Sequence, residues 1–146
     1  MKITNSKIAF FLILTLISIV LFNCNKDRER VPYVYVDFYL NLNDPDFTEL
    51  SAVGNVVAVT GGVKGIFVYR KSLDEFIALD RCCTYEPSKS CEILNVDSTG
   101  LFAVCACCES EFFLYDGYVN KGPAEYPLTQ YRTSFNSMTN TLHVFN

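Results

Sequence analysis

The residues best suited to chemistry in this sequence are cysteines, and six of the seven fall between positions 82 and 108. Clustering in two short segments is what a metal or iron–sulfur site requires, because its ligands must converge on one point. The same clustering suits a set of disulfides that staple two loops together, with many pairings open. The six are Cys82, Cys83, Cys91, Cys105, Cys107 and Cys108. Residue types and spacing therefore leave two chemistries open, thiolate ligation and cross-linking.

The N-terminus predicts an exported protein. A short basic stretch, Met1–Lys7, precedes an apolar run over Ile8–Phe22 that suits a signal-peptide core and is short for a membrane-spanning helix. The run ends in Leu21-Phe22-Asn23-Cys24, which resembles the lipobox of bacterial lipoproteins. We therefore expect a signal peptide over residues 1–23 and a lipid on Cys24 that anchors the chain in a membrane. An uncleaved N-terminal anchor is the alternative, and it also leaves the domain outside the cytoplasm.

We expect residues 24–31 to form the lipidated anchor and a solvated linker. They are charged, mixed in sign and poor in large apolar side chains, so they cannot contribute to a core. By resemblance to lipoprotein sorting signals, the lack of an aspartate directly after Cys24 favours the outer membrane. Cleavage removes Lys2 and Lys7, which leaves 10 basic against 16 acidic residues and a net charge of −6. We expect so acidic a domain to bind neither nucleic acid nor anionic lipid.

The remaining residues, 32–146, predict one β-rich domain. Apolar and polar side chains alternate from Tyr33 to Leu42, the pattern of a half-buried strand. One short helical segment is expected over Asp46–Leu50. Further short β-like runs are Asn55–Thr60, Ile66–Tyr69, Phe76–Leu79, Glu92–Val96, Leu101–Val104, Phe112–Tyr115, Tyr131–Phe135 and Thr141–Phe145. Many short strands at close spacing predict an all-β fold, a small antiparallel sandwich or barrel.

The glycine-rich segment Gly61–Gly65 contains one lysine, Lys64, and could suggest a phosphate-binding loop. It lacks the Gly-x-x-x-x-Gly-Lys-Ser/Thr spacing, and no helical pattern follows it. A tight β-turn between two strands is the favoured interpretation.

The segment Asp80–Tyr131 resembles a Rieske [2Fe–2S] domain. That family has a first loop Cys-x-His and a second loop Cys-x-x-His-Gly-Ser-x-Phe/Tyr. Here the first loop reads Cys83-Thr84-Tyr85, and the second reads Cys105-Ala106-Cys107-Cys108-Glu109-Ser110-Glu111-Phe112. Asp116-Gly117 and Gly122-Pro123-Ala124 match the family's trailing pattern. The resemblance implies a small Rieske-like antiparallel β-sandwich or barrel with two cysteine-bearing loops.

The departures from the family pattern concern the histidines. A Rieske cluster has two cysteines on one iron and two histidines on the other. Tyr85 and Cys108 stand where those histidines would be, and the single histidine of the chain is His143. Alternation with Leu142 and Val144 predicts an ordinary strand residue at that position. A standard centre with two cysteine and two histidine ligands is therefore excluded.

The resemblance implies an atypical [2Fe–2S] cluster with mostly thiolate ligands. Cys83, Cys105 and Cys108 occupy three matching positions, and Cys82 or Tyr85 would complete the set. Ser110 matches the family serine that hydrogen-bonds to the cluster region. Thiolates in place of imidazoles add negative charge, so we expect a potential near about −400 mV instead of the higher Rieske range. Zinc held by four cysteines is a variant of the same site.

A cluster-free version of the fold is the alternative. Some Rieske domains carry a disulfide between the two loops, and Cys91 and Cys107 fall close to those positions. The other four cysteines could pair across the same loops, and export to an oxidising compartment favours such pairing. Two functions follow: an electron-transfer accessory for a membrane-associated redox partner, or a disulfide-stabilised binding or structural module. In neither role do we expect the chain to be an enzyme by itself.

Overall fold

The computed structural model describes residues 29–146, which are almost entirely β-structure. The predicted signal peptide, Cys24 and most of the linker lie outside these residues. The strands are β1 (Asp37–Asn41), β2 (Val56–Val59), β3 (Ile66–Arg70), β4 (Phe76–Asp80), β5 (Leu94–Val96), β6 (Phe102–Cys105), β7 (Glu111–Phe113), β8 (Val119–Lys121), β9 (Gln130–Asn136) and β10 (Thr141–Phe145). A 3-10 helix, Pro45–Ser51, follows β1. Within residues 29–146, no helix is long and apolar enough to span a membrane.

The strands form two antiparallel sheets. The larger has six strands in the order β1-β10-β9-β4-β3-β2, and the smaller has four in the order β5-β6-β7-β8. All of the smaller sheet lies between β4 and β9 in the chain, so it is a single insertion into the larger sheet. Cys82 pairs with Ile93 in an isolated bridge, and the Leu94 amide donates to the Arg81 carbonyl at 2.8 Å. These contacts close the insertion at its base.

Two apolar cores meet on opposite faces of β3 and β4. Ile66 and Val68 point into the first core, whereas Phe67 between them points into the second. The second core also contains Leu94 and Phe112, so it packs the smaller sheet onto the larger. All residues of β4 are buried. Burial on both faces explains why β3 and β4 are apolar almost throughout instead of alternating.

The predicted all-β antiparallel fold is confirmed, with differences at the ends of elements. The strand predicted from Tyr33 begins only at Asp37, which lies opposite Phe145 at the end of β10. Upstream of it, Asn146 bonds to Val36 and Val34 largely through its side chain, outside the regular strand pairing. No strand was predicted at β8, because Val119-Asn120-Lys121 contains a single apolar residue and forms no β-like run. The Gly61–Gly65 segment forms a turn closed by a 2.9 Å bond from the Gly65 amide to the Gly61 carbonyl, wider than a tight β-turn.

Candidate metal centre

Two loops at one end of the smaller sheet carry the cysteines. The first cysteine loop, residues 81–93, connects β4 to β5, and a 3.0 Å bond from the Cys83 amide to the Glu92 carbonyl holds its two ends together. The second cysteine loop, residues 106–110, joins β6 to β7. There the Glu109 amide donates to the Cys105 carbonyl at 3.0 Å, and Glu109 adopts a φ of 59°. The first loop brings Cys83 and Glu92 to one point, and the second brings Cys108 beside Cys105, the last residue of β6.

Four side chains from these loops converge. They are Cys83, Glu92, Cys105 and Cys108, and their donor atoms all lie within 4.8 Å of one another. The Sγ atoms of Cys83 and Cys108 are 3.6 Å apart. One carboxylate oxygen of Glu92 accepts from the Cys105 thiol at 2.8 Å and from the Cys108 thiol at 3.3 Å. All but Cys108 are buried. The loops thus assemble a compact group of sulfur donors and one carboxylate.

The second carboxylate oxygen of Glu92 has no hydrogen-bond partner although it is buried. A buried carboxylate oxygen without a partner costs free energy, and a cation beside it would remove that cost. Thiolate sulfur and carboxylate oxygen are both ligands that a tetrahedral metal such as zinc accepts. The residues present therefore fit a metal ion.

Burial controls the ionisation of the group. It raises the pKa of Cys105 to about 11, together with the hydrogen bond to Glu92, and it raises the pKa of Cys83 still further. Burial also raises the pKa of Glu92, but hydrogen bonds from the thiols and the nearby charge of Lys64 outweigh it, so the net shift is downward. The protein alone thus favours neutral thiols around an ionised carboxylate. A metal must displace the thiol protons to bind there.

Backbone amides point at two of the sulfurs. The N–H of Tyr85 donates to Cys83, and the N–H groups of Cys107 and Cys108 donate to Cys105. Such bonds favour the thiolate form and act against the effect of burial. The loops thereby stabilise the charged sulfurs that a metal would bind.

Ser110 supports the group from the side of the second loop. Its hydroxyl lies 3.1 Å from the Cys108 sulfur and accepts from the Ala124 amide at 2.9 Å. Ala124 belongs to the Gly122-Pro123-Ala124 segment, so this contact connects the trailing pattern to the cysteines. The resemblance implied a hydrogen-bonding serine at this position, and the structure has one.

A disulfide joins the two loops. Cys91 and Cys107 are bonded, with their Cα atoms 5.6 Å apart, so the pairing implied by the resemblance is confirmed. Each half-cystine is adjacent in sequence to a member of the group, Glu92 in one loop and Cys108 in the other. The other cysteines of residues 29–146 are free thiols, and no second cross-link is formed between the loops. The disulfide therefore holds the loops in register while leaving the donors available.

Cys82 does not join the three cysteines with which it was grouped. Its sulfur lies 3.7 Å from the carbonyl oxygens of Cys83 and Pro87, as a weak donor in the loop backbone. Burial raises the pKa of this thiol to about 11. Cys82 and Cys83 are neighbours on an extended segment, so their side chains face opposite ways. The structure supplies Glu92 at the point where Cys82 was proposed.

Tyr85 and His143 also lie outside the group of donors. The Tyr85 side chain is 44% exposed, and only its backbone amide contacts the site. His143 lies on β10 in the larger sheet, where its Nε2 is 2.8 Å from a carboxylate oxygen of Asp37 and its ring stacks on Tyr39. It is part of the sheet surface, as its alternation predicted.

Glu92 is the site residue that sequence reasoning missed. It lies two positions before the buried Leu94 on a β-like run, so the alternation that buries Leu94 also buries Glu92. Glutamate is almost never fully buried unless it is paired. The sequence therefore did contain a signal for Glu92 as a site residue: it is an acidic residue at an inward strand position, directly after Cys91.

Comparison with known proteins identifies the fold. No family model and no curated protein matches the chain. Among solved structures, the plasma membrane Rieske protein PetC3 from the cyanobacterium Synechocystis PCC 6803 is similar, with a TM-score of 0.54 and 23% identity over 78% of this chain and 100% of that one. Two others have a TM-score of 0.45. A putative NADH-dependent nitrite reductase small subunit from Mycobacterium tuberculosis is 14% identical over 78% of this chain and 97% of its own. The Escherichia coli protein NirD is 11% identical over 76% and 98%.

The chain therefore has a Rieske-like fold. Its two cysteine-bearing loops occur where the sequence resemblance places them, and a disulfide joins them. In this chain the loops bring together three thiols and one carboxylate, a set that could hold a metal.

Proposed function

We propose that this domain binds a single thiophilic divalent metal ion, with zinc as the best fit, through Cys83, Glu92, Cys105 and Cys108. The observation that carries the proposal is the spacing of the four donor atoms, all within 4.8 Å of one another. Around one tetrahedral zinc with bonds of about 2.3 Å, sulfur ligands lie about 3.8 Å apart. The 3.6 Å between the Cys83 and Cys108 sulfurs is close to that distance.

The same spacing favours one ion over a two-iron cluster. In the Rieske pattern Cys83 matches a ligand of one iron, and Cys108 matches a ligand of the other. Ligands on different irons are separated by the irons and their bridging sulfides, so they lie farther apart than two ligands of one ion. The Cys83 and Cys108 sulfurs nearly touch, which supports a shared ion.

Burial of the donors supports a structural role for the metal. Structural zinc sites are closed and fully ligated by protein, whereas catalytic sites keep one position for water or substrate. Cys83, Glu92 and Cys105 are all buried, which favours a closed site. On this account the ion stiffens the two loops of a binding module that is exported and tethered to a membrane through the lipid predicted on Cys24.

Electron transfer by a thiolate-ligated [2Fe–2S] cluster to a membrane-associated redox partner is a second candidate. The Rieske-like fold favours it, as do the backbone N–H groups directed at the sulfurs of Cys83 and Cys105, because such hydrogen bonds tune iron–sulfur potentials.

Native mass spectrometry of the chain, exported and processed in a bacterial host, separates the candidates. We expect one metal ion per chain and no acid-labile sulfide, with the metal lost on Cys105→Ser. Cys82→Ser is the matched control, since it removes a neighbouring buried thiol outside the group and should keep the metal. Two irons with two sulfides would support the electron-transfer candidate instead. A metal-free chain would leave only the disulfide-stabilised binding module.

A further inference from the structure

The glycine-rich turn Gly61–Gly65 wraps a buried carboxylate of the same chain. The Val63 amide donates to Asp80 at 2.6 Å, and the Lys64 amide donates to its other oxygen at 3.3 Å. Gly62 has a φ of +60°, and a Cβ there would lie 2.8 Å from the Tyr131 hydroxyl. Only glycine lets the turn approach this closely. The turn therefore serves Asp80 and has a fixed position.

Asp80 connects that turn to the first cysteine loop. Its carboxylate also accepts from the Cys82 amide at 2.8 Å and from the Tyr131 hydroxyl at 2.7 Å. Asp80 is fully buried, and both of its oxygens have donors. The turn, the start of the cysteine loop and β9 are consequently held by one side chain, which determines where the Lys64 side chain can reach.

Lys64 reaches from the turn to the far end of the first cysteine loop. Its ammonium group donates to the backbone carbonyl of Lys89 and, at 3.2 Å, to that of Glu92. The segment between these carbonyls contains Cys91 of the disulfide and ends in the carboxylate of the proposed centre. Lys64 thus binds the backbone of the residue whose side chain would be the oxygen ligand.

Lys64 also brings positive charge to the back of the group. Its ammonium group lies 3.2 Å from the Glu92 carbonyl oxygen, so the charge stands beside the segment that carries the proposed oxygen ligand. Three thiolates and one carboxylate around a divalent ion leave a centre with net negative charge, which is costly where three of the donors are buried. Groups that orient ligands and offset such charge change metal affinity by about 10- to 100-fold.

We propose that Lys64 is a positioning residue of the metal centre, which sets the affinity for a divalent ion by fixing the Glu92 backbone and offsetting the negative charge of the ligands. This rests on the proposed function, since it needs a metal at the group. The proposal also explains the glycine-rich turn without phosphate binding. The turn binds Asp80 through its backbone amides and places Lys64 beside the first cysteine loop.

The test is zinc affinity of the processed chain, measured by competition with a chelator. We expect Lys64→Met to weaken zinc binding by about 10- to 100-fold. The thiolate-to-cobalt absorption of the cobalt-loaded variant should keep its shape, because all four ligands remain. Lys64→Arg keeps the charge and the donors, so it should recover most of the affinity. Lys71→Met is the matched control, because it removes an equal charge at the opposite end of the β3–β4 hairpin, where Lys71 pairs with Glu75.

The outcomes distinguish this inference from the function on which it rests. If the unaltered chain binds no zinc, both fail. If it binds zinc and Lys64→Met binds equally well, the metal site stands and the role of Lys64 is wrong. An affinity that falls for Lys64→Met and is not recovered by Lys64→Arg would also overturn the proposal. Should Lys64→Met fail to fold, Lys64→Gln takes its place with the same expected loss.

Discussion

Two buried carboxylates lie near the first cysteine loop, and their surroundings differ. Asp80 accepts from the amides of Val63, Lys64 and Cys82 and from the Tyr131 hydroxyl, so both of its oxygens are satisfied. Glu92 has thiols on one oxygen and no partner on the other. Both residues are fully buried. The two residues are therefore equally buried, and what distinguishes them is the set of hydrogen-bond donors around each carboxylate.

The different donors indicate different roles for the two buried carboxylates, a structural one for Asp80 and that of a ligand for Glu92. Amides and a hydroxyl are permanent donors, so Asp80 needs nothing further and serves as a structural anchor. Thiols are weak donors that can lose their protons to become ligands, and the remaining Glu92 oxygen is left for a cation. Removing either carboxylate should expose this contrast. The loss of Asp80 should destabilise the fold even without metal, whereas the loss of Glu92 should matter mainly when metal is bound.

Asp80→Ala should have the largest effect on folding. It leaves buried amides and a tyrosine hydroxyl without an acceptor, at about 1–3 kcal/mol for each unsatisfied group. We expect the free energy of unfolding in urea to fall by about 3 kcal/mol or more already in EDTA, with any further loss in zinc coming from the displacement of Lys64. Asp74→Ala, an exposed turn residue, is the control and should change little. A loss that appears only with zinc present would place Asp80 in the metal centre and break the contrast.

Glu92→Gln should behave in the opposite way. In EDTA we expect a change of about 1 kcal/mol or less, since the amide oxygen can accept the same thiol hydrogen bonds and a buried charge is removed. With zinc, every tenfold loss of affinity removes about 1.4 kcal/mol of stabilisation. Urea unfolding in zinc and in EDTA measures both. Equal destabilisation in the two conditions would make Glu92 a structural carboxylate like Asp80.

Glu109→Gly tests strain in the loop opposite Glu92. Glu109 has a φ of 59°, a left-handed conformation that costs a non-glycine residue about 1 kcal/mol. We expect glycine to raise the thermal midpoint by an amount that corresponds to about 1 kcal/mol or less. Asn140→Gly is the comparison, since Asn140 has a φ of 50° and asparagine tolerates that region better. A melting temperature that falls for Glu109→Gly would mean that the glutamate side chain stabilises the loop.

An exposed carboxylate completes the series with the smallest effect. Hydrogen bonds from His143 and Tyr35 lower the pKa of Asp37 below its ordinary value of 3.8. The resulting stability is present above that ordinary value and is lost as the pH falls through the lowered one. Asp37→Asn should therefore reduce the loss of stability between neutral pH and about pH 3. Urea midpoints at the two pH values measure it, and an unchanged acid loss would contradict the assignment.

The sequence predicted the fold and much of the site because those features depend on local pattern. Turn residues between apolar runs gave most of the strands, and the spacing of Cys83, Cys105 and Cys108 indicated where the loops meet. The start of β1 could not be read from alternation, since it depends on where β10 ends. Glu92 and Lys64 were missed for a related reason. Their roles come from contacts between separate loops, and no local pattern encodes those contacts.

X-ray absorption at the zinc edge of the metal-loaded chain identifies the atoms bound to the ion. A centre formed by Cys83, Cys105, Cys108 and Glu92 should give three sulfur neighbours at about 2.3 Å and one oxygen at about 2.0 Å. Glu92→Gln should alter the oxygen shell and leave the sulfur shell intact. Four sulfur neighbours would return Cys82 to the ligand set and contradict the assignment of Glu92. A chain that takes up no zinc but holds two irons bridged by sulfide would contradict the single-ion centre itself.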